Sequence, residues 1–176
     1  MMIRKILILI YVLLVQVSYA VECNSKFNCS IVLDNRTQLP TKDIKCTLPN
    51  MPNMPIKAEN VFDSNGNLKT HWNSQSVCDV LEWMNEATPK LSEVDGIATS
   101  FTVPITLKFK PQPGNRSRSA LYATDNSITF DTDSFVEGND FAYVMKYMTV
   151  HEFFHYAEEN SVKNIASLKI RKSYKF

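Results

Sequence analysis

Hydrophobic positions recur along this chain with helical spacing in one stretch and strand spacing in the next. Val77, Leu81 and Met84 lie four and three residues apart, which places them on one face of an amphipathic helix. Asn73 can cap the start of that helix, and Pro89 is expected to end it, because the residue before a proline avoids helical backbone angles. The pattern predicts a helix that begins after Asn73 and ends just before Pro89.

Strand spacing follows downstream of this helix. Ile105, Leu107 and Phe109 alternate with threonine and lysine residues, which predicts a strand with one buried face. Ala120–Ala123 and Ile128–Phe130 are two further short strand-like runs, and the TDNS stretch between them is a turn sequence. The pattern therefore predicts one strand followed by a strand pair joined by a turn.

The last predicted element is the longest. Residues 141–160 contain neither proline nor glycine, and Asn139 or Asp140 can cap a helix that starts there. At about 100° per residue, one face of this helix carries apolar side chains in its first half and two imidazoles and a carboxylate in its second half. This change along a single face indicates a functional site on the helix.

The part of the chain before these elements has a different composition. Residues 21–58 mix cysteines with prolines and polar residues, and LPNMPNMPIK places prolines at a spacing that neither a helix nor a central strand accepts. We interpret residues 21–58 as a disulfide-pinned N-terminal segment and residues 59–176 as the main domain. An Asn-Gly pair at residues 65–66 predicts a small hairpin at the start of that domain.

Composition and charge exclude several classes of function. The chain has 176 residues, 44% of them hydrophobic, which is enough to bury the core of one ordinary domain. Its 19 basic and 18 acidic residues leave a net charge of +1, without the positive excess that nucleic-acid binding uses. The chain has 4 glycines and no glycine-rich phosphate-binding motif. We therefore expect no nucleic-acid partner and no nucleotide chemistry.

Residues 1–20 have the three parts of a secretory signal peptide. Arg4 and Lys5 give a basic start, an apolar run follows from Ile6 to Val17, and Ala20 ends the segment with a small side chain. The apolar run is shorter than the roughly twenty residues that span a bilayer, so we expect cleavage after Ala20 rather than a membrane anchor. The mature protein is expected to be secreted or periplasmic, without a membrane partner.

The cysteines agree with export. All 4 cysteines lie in the first half of the chain, and an even number in an exported protein predicts two disulfide bonds. Three pairings of Cys23, Cys29, Cys46 and Cys78 are possible, and their spacing does not choose between them. A cysteine zinc site is disfavoured because no CxxC pair occurs.

The polar end of the last helix carries the motif HEFFH. His151 and His155 are one helical turn apart, so both imidazoles can reach one zinc ion. Glu152 lies beside them and can act as the general base that takes a proton from water and later passes it to a leaving amine. The spacing therefore predicts a zinc site with His151 and His155 as ligands and Glu152 as the catalytic residue of a metallopeptidase.

The order of elements around this motif resembles that of the zincin metallopeptidases. A helix (SVCDVLEWMNEATPKL), a strand (ITLKFK), a strand pair (ALYATDNSITFDTDSF) and the HEFFH helix follow one another as in the N-terminal subdomain of that family, over roughly residues 70–157. The resemblance implies an α+β fold with a small twisted mixed sheet and a long active-site helix. In matrixin-type metzincins, the edge strand before the helix binds extended substrate, a role that would fall near residues 121–130.

This sequence departs from the family at the third zinc ligand. Glu158 and Ser161 stand where HExxHxxGxxH requires glycine and histidine, and no acidic residue or histidine follows Asn160. The third ligand could be Glu158, His71, a residue of another chain, or part of a longer C-terminus if this chain is truncated or diverged. Glu158 lies about 7 Å along the helix axis from the metal position, so we expect it to orient His155 rather than bind zinc. Glu159 is expected to be solvated.

Together these features predict a secreted zinc-dependent metallopeptidase that hydrolyses peptide or protein substrates. The alternative is a catalytically inactive, secreted zincin-like domain that binds a partner. Zinc stoichiometry distinguishes the two, because the second needs little or no metal.

Overall fold

The structure of the protein is a computed structural model, which describes residues 20–21, 23, 27–34, 39–40, 44–60, 72–94, 97, 101–110, 120–132 and 140–160. Three short strands form an antiparallel sheet in the order β1–β2–β3: β1 (Ala20–Val21), β2 (Asn28–Val32) and β3 (Lys45–Thr47). Four more form a mixed sheet in the order β4–β5–β7–β6: β4 (Ile56–Asn60), β5 (Ile105–Lys110), β6 (Ala120–Ala123) and β7 (Ser127–Asp131). The described residues also form two helices, α1 (Ser74–Leu91) and α2 (Asp140–Asn160). The predicted α+β class with a mixed sheet and a long helix that carries HEFFH is confirmed.

The four-stranded sheet holds the centre of the core. Ile105, Leu107 and Phe109 of β5 are completely buried, as their alternation predicts. β5 lies between β4 and β7 and runs parallel to both, whereas β6 pairs antiparallel with β7 at the end of the sheet. The β6–β7 turn contains Asn126 at φ 59°, a left-handed conformation that asparagine tolerates better than most residues. The predicted strand pair is confirmed.

Helix α1 begins as predicted. The Asn73 side chain accepts a hydrogen bond from the main-chain N–H of Ser76 at 3.0 Å, and the Ser76 hydroxyl lies 3.3 Å from the N–H of Asn73. These two contacts form a capping box, which satisfies donors that the first helical turn leaves without partners. Val77, Leu81 and Met84 are all completely buried, which confirms the predicted apolar face.

The predicted end of α1 is wrong, because the helix continues through Pro89 to Leu91. Proline has no N–H to donate to the carbonyl four residues earlier, which here belongs to Asn85. The side-chain amide of Asn50 donates to that carbonyl at 2.8 Å, and the Asn50 main-chain N–H donates to the Asn85 side chain at 2.9 Å. A residue outside the helix therefore satisfies the group that proline leaves open.

The prediction of two disulfide bonds is confirmed, and the structure selects the pairing Cys23–Cys78 and Cys29–Cys46. The first bond joins the N-terminal segment to α1, and the second joins β2 to β3. Leu48, Met51 and Met54 of the proline-rich stretch are buried in the same hydrophobic cluster as the helices and the four-stranded sheet. β4 extends across the predicted boundary at residue 58 and pairs with β5.

Some predictions fall outside the described residues. These are the hairpin around residues 65–66, residues 1–19 of the predicted signal peptide, and His71. β1 spans the predicted cleavage point between Ala20 and Val21 and pairs with Val32 and Ile31 of β2. Within the part of the chain that the structure describes, neither helix is long and apolar enough to cross a membrane.

Candidate functional site

Helix α2 is held in the domain by the face opposite its histidines. Phe153 and Tyr156 are completely buried, and both pack against Phe101 with ring centroids 5.7 and 5.6 Å away. The Tyr156 hydroxyl donates a hydrogen bond to the main-chain carbonyl of Val103 at 2.5 Å, and burial raises the pKa of Tyr156 to about 12. The helix is therefore fixed in rotation, which determines where its polar face points.

The two histidines of HEFFH converge on one point in front of α2. The Nε2 atoms of His151 and His155 are 3.3 Å apart, and the rings are nearly perpendicular at 89°. Two nitrogens that bind one tetrahedral zinc ion at about 2.0–2.1 Å lie roughly 3.3–3.4 Å from each other. His151 is exposed and His155 is partly exposed, so a metal ion can approach from solvent. The donor type and the spacing both fit zinc.

Each imidazole has a neighbour on its outer side. Oε2 of Glu158 lies 3.7 Å from Nδ1 of His155. The other ring nitrogen of His155, Nε2, is the one that faces His151. Such a carboxylate favours the orientation of a histidine in which Nε2 faces the metal. The ring of Tyr147 lies nearly parallel to that of His151, with centroids 6.1 Å apart. This contact agrees with the expected orienting role of Glu158, because it involves Nδ1 of His155.

Glu152 lies between the histidines in sequence but is far less exposed. Its residue surface is 6% accessible, and its Oε2 accepts a hydrogen bond from the main-chain N–H of Tyr122 at 2.7 Å. That N–H belongs to β6, the last strand of the four-stranded sheet. The carboxylate therefore has a fixed orientation while it still lines the open space in front of the helix.

Tyr122 is a site residue that sequence reasoning did not single out. Its ring faces that of His155 at 25°, with centroids 6.5 Å apart. Its hydroxyl lies 3.0 Å from Oε2 of Glu159 and 3.2 Å from Oδ1 of Asn126. Burial, followed by the hydrogen bond with Glu159, holds the pKa of Tyr122 well above its ordinary value. The only sequence signal was its place in the strand pair before HEFFH, which does not distinguish it from its neighbours.

The expectation for Glu159 was incomplete. The residue is exposed, as predicted, but its carboxylate accepts the Tyr122 hydroxyl rather than contacting solvent alone. Asn160 reinforces this end of the helix, because its side-chain amide donates to Asn126 at 2.7 Å. The last turn of α2 is thus tied to the β6–β7 turn.

A cleft of about 760 Å³ lies between α2 and β6. Glu152, Glu158 and Glu159 line it along the helix, together with the two histidines. The cleft is lined by Ala120, Tyr122, Ala123, Thr124, Tyr147, Met148, His151, Glu152, His155, Glu158 and Glu159. The structure therefore brings all three residues of the predicted zinc site to one cleft, with β6 as the opposite wall.

The described residues add no third candidate ligand to His151 and His155. Among the described residues, no group of three His, Cys, Asp or Glu side chains is arranged to hold a metal ion. Glu158 faces Nδ1 of His155, and His71 lies outside the described residues. The described residues therefore supply two imidazole nitrogens at ligand spacing and one oriented carboxylate, that of Glu152. Comparison of the chain with protein-family models, with curated proteins and with solved structures finds no match.

Proposed function

We propose that this protein is a secreted zinc-dependent metallopeptidase in which His151 and His155 hold the metal and Glu152 is the general base. The observation that carries the proposal is the 3.3 Å separation of the two Nε2 atoms, which matches the spacing of two ligands on one tetrahedral ion. Glu152 lines the same cleft, where it can act as the general base. Zinc, when bound, supplies the Lewis acidity that makes water a nucleophile near neutral pH.

Glu152 would move the proton in this reaction. The Tyr122 amide engages Oε2, so Oε1 is the oxygen that would take a proton from the attacking water and return it to the leaving amine. The near-complete burial of Glu152 limits competing contacts with bulk solvent. The fixed position of the Glu152 carboxylate therefore suits it to proton transfer rather than to metal ligation.

The cleft would accept an extended peptide beside β6. β6 is an end strand, so one of its edges faces the cleft instead of another strand of the described sheet. Peptide recognition by strand addition uses main-chain hydrogen bonds, and the likeness to metzincins favours that mode at the main-chain groups of β6 other than the Tyr122 N–H, which binds Glu152. The two disulfide bonds support an oxidising, extracellular setting.

The test is to separate metal binding from hydrolysis in the chain that starts at Val21. His151→Ala and His155→Ala should each abolish zinc binding, measured by calorimetry and metal analysis. Glu152→Gln should retain zinc and lose peptide hydrolysis, because the amide cannot accept the proton. Tyr143→Ala, on the same helix and 78% exposed, is the matched control that should behave like the parent. Parent-like hydrolysis by Glu152→Gln would contradict the general-base assignment.

A second candidate is a secreted domain that keeps this scaffold for binding and no longer catalyses. The absence of a three-ligand group among the described residues favours it, since catalytic zinc usually has three protein ligands. This candidate predicts a metal content well below one zinc per chain after equilibration at low micromolar zinc. One zinc per chain together with peptide hydrolysis would reject it.

A further inference from the structure

Tyr122 contacts four residues of α2. Its main-chain N–H binds the Glu152 carboxylate, its ring lies beside the rings of His155 and Tyr156, and its hydroxyl lies within hydrogen-bond distance of Glu159. Three of these residues lie on the polar face of the helix: the proposed base, a proposed ligand and an outer carboxylate.

The contact between the Tyr122 main-chain N–H and Glu152 is the most rigid of these contacts. Tyr122 lies opposite Ile128 in the β6–β7 pairing, so its amide is held by the sheet rather than by a rotatable side chain. A glutamate side chain has several rotatable bonds, and its carboxylate would otherwise sample many positions. A fixed donor 2.7 Å from Oε2 selects one of them. The sheet therefore determines the position of the carboxylate on the helix.

We infer that Tyr122 is a positioning residue for this site: its main-chain N–H fixes the Glu152 carboxylate, and its ring supports His155. The inference rests on the proposed function, because it assigns a purpose to contacts with the proposed base and ligand. Glu158 supports His155 from the Nδ1 side, so the imidazole is held on two sides. Tyr122 acts through Glu152 and His155, so its role is positioning rather than catalysis.

Three substitutions separate the contacts of the Tyr122 main-chain N–H, ring and hydroxyl. Tyr122→Phe removes the hydroxyl and keeps the ring and the N–H. Tyr122→Ala removes the ring and keeps the N–H, whereas Tyr122→Pro removes both the ring and the N–H. Proline is tolerated on an end strand when the missing donor faces away from the ladder, and this donor serves α2. The comparison of proline with alanine therefore isolates the main-chain hydrogen bond.

The expected results differ between the two comparisons. Relative to alanine, the proline variant should bind zinc equally well and have the same KM, but its kcat should fall about ten- to a hundredfold because the base is misplaced. Relative to phenylalanine, the alanine variant should bind zinc up to about tenfold more weakly because His155 has lost its neighbour. Equal kcat values for folded proline and alanine variants would overturn the role of the N–H, and equal zinc affinities for alanine and phenylalanine would overturn the role of the ring.

A second measurement needs neither activity nor the proline variant to fold. Amide hydrogen exchange of Tyr122 in the zinc-free chain should be slow in the parent and in Glu152→Gln, which retains an acceptor, and fast in Glu152→Ala. Equal exchange in all three proteins would overturn the inferred contact. If the parent binds no zinc and cleaves no peptide, the proposed function fails, and the exchange rates still decide whether Tyr122 fixes residue 152.

Discussion

Helices α1 and α2 pack against each other, and they use their polar side chains for different purposes. In α1, the capping residues Asn73 and Ser76 and the Asn50–Asn85 pair satisfy main-chain groups of the helix or its surroundings. In α2, His151, Glu152, His155, Glu158 and Glu159 line an open cleft, and the two histidines converge at ligand spacing. Polar groups that stabilise a helix pair with its own backbone, whereas those that form a site converge on space outside it.

The comparison predicts that changes around α1 alter stability and leave the His pair intact. The largest effect is expected from replacing both Cys23 and Cys78 with serine, because that bond ties α1 to a segment 55 residues earlier. The free energy of unfolding should fall by about 2–5 kcal/mol in urea denaturation, and zinc should still bind to the folded fraction.

The Cys29–Cys46 pair is the control for this change. Its sequence separation is 17, and a shorter loop constrains the unfolded chain less, so its removal should cost less stability. A loss of stability as large as that for Cys23–Cys78 would contradict the loop-length explanation.

Changes on the polar face of α2 should weaken zinc binding and leave the free energy of unfolding nearly unchanged. Glu158→Gln should weaken zinc binding about ten- to a hundredfold, because a neutral amide orients His155 less strongly than a carboxylate. The unfolding free energy should change by less than about 1 kcal/mol, since the contact is partly exposed. Zinc affinity is measured at fixed pH, with Glu93→Gln, an exposed residue just beyond α1, as the matched control. A collapse of binding to undetectable levels would instead make Glu158 a direct ligand.

A smaller effect is expected from Asn50→Ala. The variant leaves the Asn85 carbonyl without its donor, and because the site is exposed the expected loss is only about 0.5–1.5 kcal/mol. Adding Pro89→Ala restores an N–H four residues after Asn85. The loss of stability in the double variant should therefore be smaller than the sum of the losses in Asn50→Ala and Pro89→Ala. Strictly additive losses in thermal or urea unfolding would show that Asn50 does not compensate for the proline.

The smallest effect concerns Asp125 in the β6–β7 turn. The hydrogen bond from Lys108, followed by that from Ser127, lowers the pKa of Asp125 from 3.8 to about 2. A lowered folded-state pKa stabilises the fold above the unfolded pKa, and this contribution is lost as the pH falls toward 2. The carboxylate side chain is 57% exposed, so solvent screening limits the effect at pH 7 to less than about 1 kcal/mol.

Asp125→Asn should therefore be slightly less stable than the parent at pH 7, and the difference should close between about pH 4 and pH 2. Thermal unfolding over that pH range, at low and high salt, measures it. A gap that widens as the pH falls would reverse the assigned direction.

Features that repeat locally could be predicted from the sequence. The alternation of Ile105, Leu107 and Phe109, the apolar face of α1 and the one-turn spacing of His151 and His155 each depend on residues within one element. The features that were missed depend on contacts between distant parts of the chain. Asn50 reaches Asn85 across 35 residues, and Tyr122 reaches Glu152 across 30. Such contacts have no period in the sequence, so only the folded arrangement shows them.

The Cys23–Cys78 bond also determines how the chain would respond to a protease that attacks it. The bond encloses all of β2, β3 and β4, and the inner bond Cys29–Cys46 lies within the same loop. A single cut anywhere between residues 23 and 78 would therefore give two fragments that stay covalently joined until a reductant is added. A molecule nicked before Ser74 would migrate as one species on a non-reducing gel and could retain α1, α2 and the cleft between α2 and β6.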